Sequence, residues 1–118
     1  MTSDPTPETF GQTIKRLRRE RGLTQRELAS ELGIDFTYLS KLENGRGEAP
    51  GEETVRKLAE LLEFDTEELL ALAGKLPPEL RTRAQADLTF ARVLRQLPTV
   101  SEEDLSAIYA RLKRDKES

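Results

Sequence analysis

A chain of 118 residues has room for one ordinary domain, or a small domain with an appendage, and 36% hydrophobic residues provide a modest core. It contains no cysteine and no histidine. That removes disulfides, thiolate and imidazole metal sites, and the most versatile nucleophile and general base, so neither an enzyme nor a cofactor is expected. A net charge of −3 excludes a uniformly basic nucleic-acid coat.

The charge is uneven. Residues 50 to 74 carry two Lys/Arg against seven Asp/Glu, whereas residues 1 to 49 carry eight of each and include the run Lys15, Arg16, Arg18, Arg19, Arg21. No apolar run approaches the ~18 residues of a membrane span, and the N-terminus lacks the apolar core of a signal peptide. A cytoplasmic chain with no membrane partner is expected.

Residues 1 to 8 are polar, contain Pro5 and Pro7, and read as a flexible tail. A first helix is expected from about residue 7 to 21, with Thr6 as N-cap and Pro7 in the first turn, Phe10, Ile14 and Leu17 on one face and Gly22 ending it. Thr24 and Glu27 stand at capping-box spacing and open a second helix that Gly33 closes. Asp35 can cap a third, which Asn44-Gly45 stops. This is a helix-turn-helix pattern. Leu28, Ala29, Leu32, Ile34, Leu39 and Leu42 can share a core, which leaves Phe36, Thr37, Tyr38 and Lys41 on the outer face of the third helix. Two outward aromatics beside a hydroxyl and a cation are not needed for packing, and they suit a DNA groove.

Residues 46 to 51 read as a loop. A fourth helix, about residues 52 to 63, follows with Val55, Leu58, Ala59 and Leu62 in one stripe. Asp65 or Thr66 starts a short fifth helix that Gly74 ends. The fold class expected is all-α: a five-helix DNA-binding domain over residues 9 to 74, then a two-helix extension over residues 75 to 118. In the extension one long helix is expected over residues 79 to 97, with Leu88, Phe90, Ala91 and Leu94 on a wide apolar face. Pro98 ends it, and Ser101 caps a last helix carrying Leu105, Ile108, Tyr109 and Leu112. Such faces call for cover by the first domain, by a second copy of the chain, or by both.

Residues 10 to 74 resemble the lambda-repressor/Cro superfamily of helix-turn-helix regulators, the XRE family. The resemblance rests on Leu23-Thr24-Gln25-Arg26-Glu27-Leu28-Ala29, Leu32-Gly33-Ile34 and Tyr38-Leu39-Ser40-Lys41-Leu42-Glu43-Asn44-Gly45-Arg46, with Thr54, Leu58 and Ala59 continuing it. It implies that residues 36 to 43 form a recognition helix lying in the major groove of double-stranded DNA. Phe36, Thr37, Tyr38 and Lys41 would then be the base readers. Gln25, Asn44 and Arg46 would contact phosphate, and Arg18 and Glu43 would form a structural salt bridge. It also implies a homodimer on a palindromic operator, acting as a repressor, and the apolar faces of the extension, Leu88, Phe90, Ala91, Leu94, Leu105, Ile108, Tyr109 and Leu112, are the candidates for the dimer contact. The acidic Asp35, Glu48, Glu52 and Glu53 near the expected phosphate path add weight to paired binding. A separately encoded antirepressor, protease or toxin is a possible further partner. The competing reading is an antitoxin or adaptor whose C-terminal hairpin binds another protein.

Overall fold

The computed structural model describes residues 7–117, and every regular element among them is helical. Most of the N-terminal helices begin where a side chain takes over a backbone N–H that the helix leaves unpaired. Thr9 opens α1 (Phe10–Glu20), its hydroxyl accepting from the Gln12 N–H while Gln12 Oε1 accepts from the Thr9 N–H. Thr24 and Glu27 repeat this reciprocal cap at α2 (Gln25–Leu32). Asp35 caps α3 (Phe36–Glu43) through the Thr37 N–H at 3.0 Å. Asp65 caps α5 (Thr66–Leu72) through the Glu68 N–H at 2.9 Å. Between them α4 (Glu52–Leu62) has no side-chain cap and places Glu52 and Glu53 in its first turn, where negative charge meets the positive end of the helix dipole.

The five helix ends share one device, a backbone N–H bonded back to a carbonyl one turn earlier. Leu23 bonds Arg18, Ile34 bonds Ala29, Arg46 bonds Lys41, Phe64 bonds Ala59 and Lys75 bonds Leu70, all at 2.8 to 3.1 Å. Closing the chain this way needs a left-handed residue. Gly33 supplies it between α2 and α3 with φ 72°, whereas Glu63 takes it at φ 54°, alone among the described non-glycine residues.

The core draws on every one of these helices: Ile14, Leu28, Leu39, Val55, Leu58 and Leu69 are fully buried. Burial on this pattern follows from the i, i+3, i+4 spacing, and each side chain of this size contributes about 1.5 to 3 kcal/mol. Pro50 is also buried, which fixes the loop before α4. α1 meets the end of α3 at Gly11, where a Cβ would press on the carbonyl oxygens of Leu42 and Glu43, the second only 2.8 Å away. The close approach therefore depends on glycine.

Two local expectations need correction. The first helix starts at Phe10, not near residue 7, because the Thr9–Gln12 capping box fixes the boundary. Thr6 and the rest of residues 1–6 lie outside the described residues. Glu8, the last residue of the expected tail, is held in place. It accepts from Thr13 Oγ1 at 2.9 Å and from Arg16 Nε at 2.7 Å, and this guanidinium contact holds its carboxyl below the usual carboxylate range. The compact unit so built runs from Glu8 to Pro77.

Residues from Pro78 onward form a second unit. The single helix expected over residues 79 to 97 is instead two, α6 (Glu79–Ala86) and α7 (Leu88–Gln96), followed by a 3₁₀ turn at Leu97–Thr99. The break is at Asp87, whose backbone is extended (φ −145°, ψ 108°) and whose carboxylate caps α7 through the Phe90 N–H at 3.2 Å. A capping carboxylate outcompetes helix continuation here. Ser101 precedes α8 (Glu102–Glu117) and accepts from the Asp104 N–H. No residue from 78 to 117 is buried. Among the described residues no helix is long and apolar enough to cross a membrane.

Candidate nucleic-acid interface

The position of α3 is set from inside the unit. The Glu43 carboxylate, on the last turn of α3, is buried and receives three donors: Arg18 Nε at 2.7 Å and Arg18 Nη2 at 3.0 Å from α1, and Gln25 Nε2 at 2.9 Å from α2. Arg18 Nη1 reaches on to the Leu23 carbonyl at 2.8 Å. One carboxylate thus ties three helices together, with the two-pronged geometry that suits guanidinium and carboxylate. Among the described residues no buried side-chain nitrogen or oxygen lacks a partner. The burial of this charge pair is therefore compensated.

With its inner face so held, α3 turns Thr37, Tyr38 and Lys41 outward. Thr37 and Lys41 are exposed, and Tyr38 retains 37% of its free area. The spacing of one helical turn from Thr37 to Lys41, with Tyr38 beside them, puts a hydroxyl, a phenol and an ammonium on one strip. The four expected readers do not form a uniform set. Phe36, at the head of α3, is half-buried and packs against the core, and its ring carries the Arg26 guanidinium 4.5 Å from the centroid.

The expected phosphate contacts divide between two surfaces. Gln25 and Asn44 line an open concavity together with Lys15, Arg19, Arg26 and Phe36. Gln25 spends one amide N–H on Glu43, and its amide carries a second N–H donor. Arg46 is exposed beside Gly45 and Gly47, bordering a different hollow next to Gly11 and Pro50. Arg26 is absent from the contacts expected from sequence. Its neighbour Phe36 is ten positions away, and only the turn at Gly33 brings the two together, a pairing that helical periodicity does not encode.

Charge in this unit is sorted. Arg16, Arg21 and Arg56 pair with glutamates at the surface and Arg18 with Glu43 inside. Among the described residues no ion pair engages Lys15, Arg19, Arg26, Lys41 or Arg46. The second unit presents the residues expected at a dimer contact. Leu88, Leu105, Ile108, Tyr109 and Leu112 are exposed, while Phe90, Ala91 and Leu94 are half-buried, with the Arg83 guanidinium 4.9 Å above the Phe90 ring.

Residues 11–75 match a family described as a helix-turn-helix domain. RghRB of Bacillus subtilis (strain 168), described as an uncharacterized HTH-type transcriptional regulator, is 40% identical over 79 residues, covering 64% of this chain and 57% of RghRB. The HTH-type transcriptional repressor RghR of the same strain is 38% identical over 77 residues, covering 65% of this chain and 57% of RghR. The chain therefore spans less than two thirds of the length of either relative. In fold it is similar to the structure of a SinR protein/SinI protein complex, with a TM-score of 0.51 at 24% identity over 93% of this chain and all of that one. Because the domain match takes in more than half of the 118 residues, the chain belongs to the helix-turn-helix family of XRE-type, lambda-repressor/Cro-like transcriptional regulators.

Proposed function

We propose that this chain is a sequence-specific DNA-binding repressor that places α3 in the major groove and binds as a pair of copies on a two-fold symmetric operator. The observation that carries the reading is the division of α3. Its inner face is locked to α1 and α2 through Glu43, while the side chains of Thr37, Tyr38 and Lys41 lie exposed on its outer face. Lys41 donates to guanine O6 or N7, Thr37 bonds a base edge or touches a thymine methyl, and Tyr38 divides between base and backbone. Gln25, Asn44 and Arg46 fix register on the phosphates. Repression follows from occupying promoter DNA.

Pairing rests on the second unit. Leu105, Ile108, Tyr109 and Leu112 lie exposed along α8, and apolar side chains repeated on one helix are stabilised by a second such face. The same exposure favours, as a second reading, a different protein as the occupant. Sedimentation of the isolated chain decides between them: a dimer supports self-pairing, whereas a monomer that remains soluble supports a foreign partner.

The DNA reading is tested by selecting duplexes from a random-sequence library with the full chain, then measuring variants on the selected duplex. Lys41→Ala is expected to lose about 1 to 3 kcal/mol on the selected site and little on unrelated DNA, and Gln25→Ala to lose affinity on both alike. Equal binding by Lys41→Ala and the unaltered chain would falsify the role of Lys41. Failure to enrich any sequence would remove the reading altogether.

A further inference from the structure

We propose that Arg26 grips a DNA phosphate at the flank of α3 and that Phe36 is its platform, a positioning residue and not a base reader. The proposal rests on the DNA-binding reading above and extends it to a residue pair outside the motif's outward strip. Phe36 sits in the first turn of α3 with its ring partly buried against the core. The Arg26 guanidinium lies over that ring at 4.5 Å. A cation centred on an aromatic face is held electrostatically, while its N–H donors remain at the periphery, directed away from the ring. The stack thus orders a long side chain before any ligand arrives, which lowers the entropy lost on binding.

Four neighbours identify the ligand as an anion. Lys15, Arg19, Gln25 and Asn44 line the same concavity, and among the described residues neither Arg26, Lys15 nor Arg19 has an ion-pair partner. Arg18, which also lines the hollow, is neutralised by Glu43, and outside it Arg16, Arg21 and Arg56 pair with glutamates. Three unneutralised cations facing one hollow, in a chain of net charge −3, favour an incoming negative group. Since Phe36 belongs to α3 itself, the anion lying against Arg26 is a backbone phosphate bordering the groove that α3 enters. An aromatic ring has no donor to offer a base edge beyond apolar contact, so its contribution is made through the guanidinium it carries.

The test uses the full chain and its library-selected duplex, titrated at several salt concentrations. Arg26→Ala is expected to weaken binding about tenfold on selected and unrelated sequences alike, and to make the dependence of log affinity on log salt shallower by about one. Phe36→Tyr keeps the ring and should bind as the parent does. Phe36→Leu, checked for an unchanged melting temperature, should lose affinity, and adding Arg26→Ala to it should cost clearly less than tenfold. A purely structural role for Phe36 would give equal Arg26→Ala losses in both backgrounds and overturn the pairing. Unchanged affinity and salt slope in Arg26→Ala, or a loss confined to one base position, would overturn the phosphate grip. Lys41→Ala on the same duplex separates the two levels. If it weakens binding while Arg26→Ala does not, only this inference falls; if the unaltered chain selects no duplex, both fall.

Discussion

Glu43 concentrates more of this structure than any other single residue. Its carboxylate joins α1, α2 and α3, and the pairing with Arg18 is buried on both sides. Glu43→Ala leaves the Arg18 guanidinium without its counter-charge and Gln25 without its acceptor, and is expected to destabilise the fold by about 3 to 5 kcal/mol in urea unfolding. A loss under 1 kcal/mol would mean that water or another group replaces the carboxylate cheaply. Glu63 presents the opposite case, a side chain in the wrong backbone region. Its left-handed φ of 54° is strained for a residue with a Cβ, and its contact with Arg21 is largely exposed. Glu63→Gly is therefore expected to stabilise by up to about 1 kcal/mol, read as a higher melting temperature. A lowered one would show that the Arg21 contact outweighs the strain.

At the scale of helices, what sequence conveys is what local chemistry decides. The caps at Thr24, Asp35 and Asp65 and the turn at Gly33 involve groups within a few residues of one another, so their spacing is readable directly. The start of α1 was less legible, because Pro7 offers an equally plausible first-turn residue and only the capping box of Thr9 with Gln12 outweighs it. The break at Asp87 was hidden by the apolar stripe, which keeps helical register across it through Ala84, Leu88 and Ala91 while the carboxylate redirects the backbone. Contacts across helices lie further out of reach. The stacking of Arg26 on Phe36 and the approach of α1 to α3 at Gly11 depend on how three helices cross. Gly11→Ala tests the second. The added methyl must push the end of α3 away from α1, and a cost of about 1 to 3 kcal/mol in stability is expected, together with a loss of DNA affinity larger than that of an equally destabilised core variant. Unaltered stability would show that the helices separate without penalty.

On the scale of the whole chain, the two units differ in burial. Residues 8 to 77 hold the entire described core and the surface proposed to meet DNA, whereas residues 78 to 117 contain no fully buried residue and expose apolar side chains along α7 and α8. The acidic stretch from residue 50 to 74 lowers the affinity that one copy draws from phosphates alone. In the proposed pairing two linked copies would recover it, because the second contact forms at high effective concentration once the first is made. A chain ending at Pro77 is accordingly expected to stay folded, to sediment as a monomer, and to bind the selected duplex at least tenfold more weakly than the full chain.

The most direct measurement is hydroxyl-radical footprinting of the full chain on its library-selected duplex, with the number of bound chains counted by sedimentation. The expected result is an inverted repeat protected in two patches centred about 34 Å apart, with two chains on each duplex. One protected patch holding a single chain, or no protection above that of unrelated DNA, would contradict a paired reader built around α3.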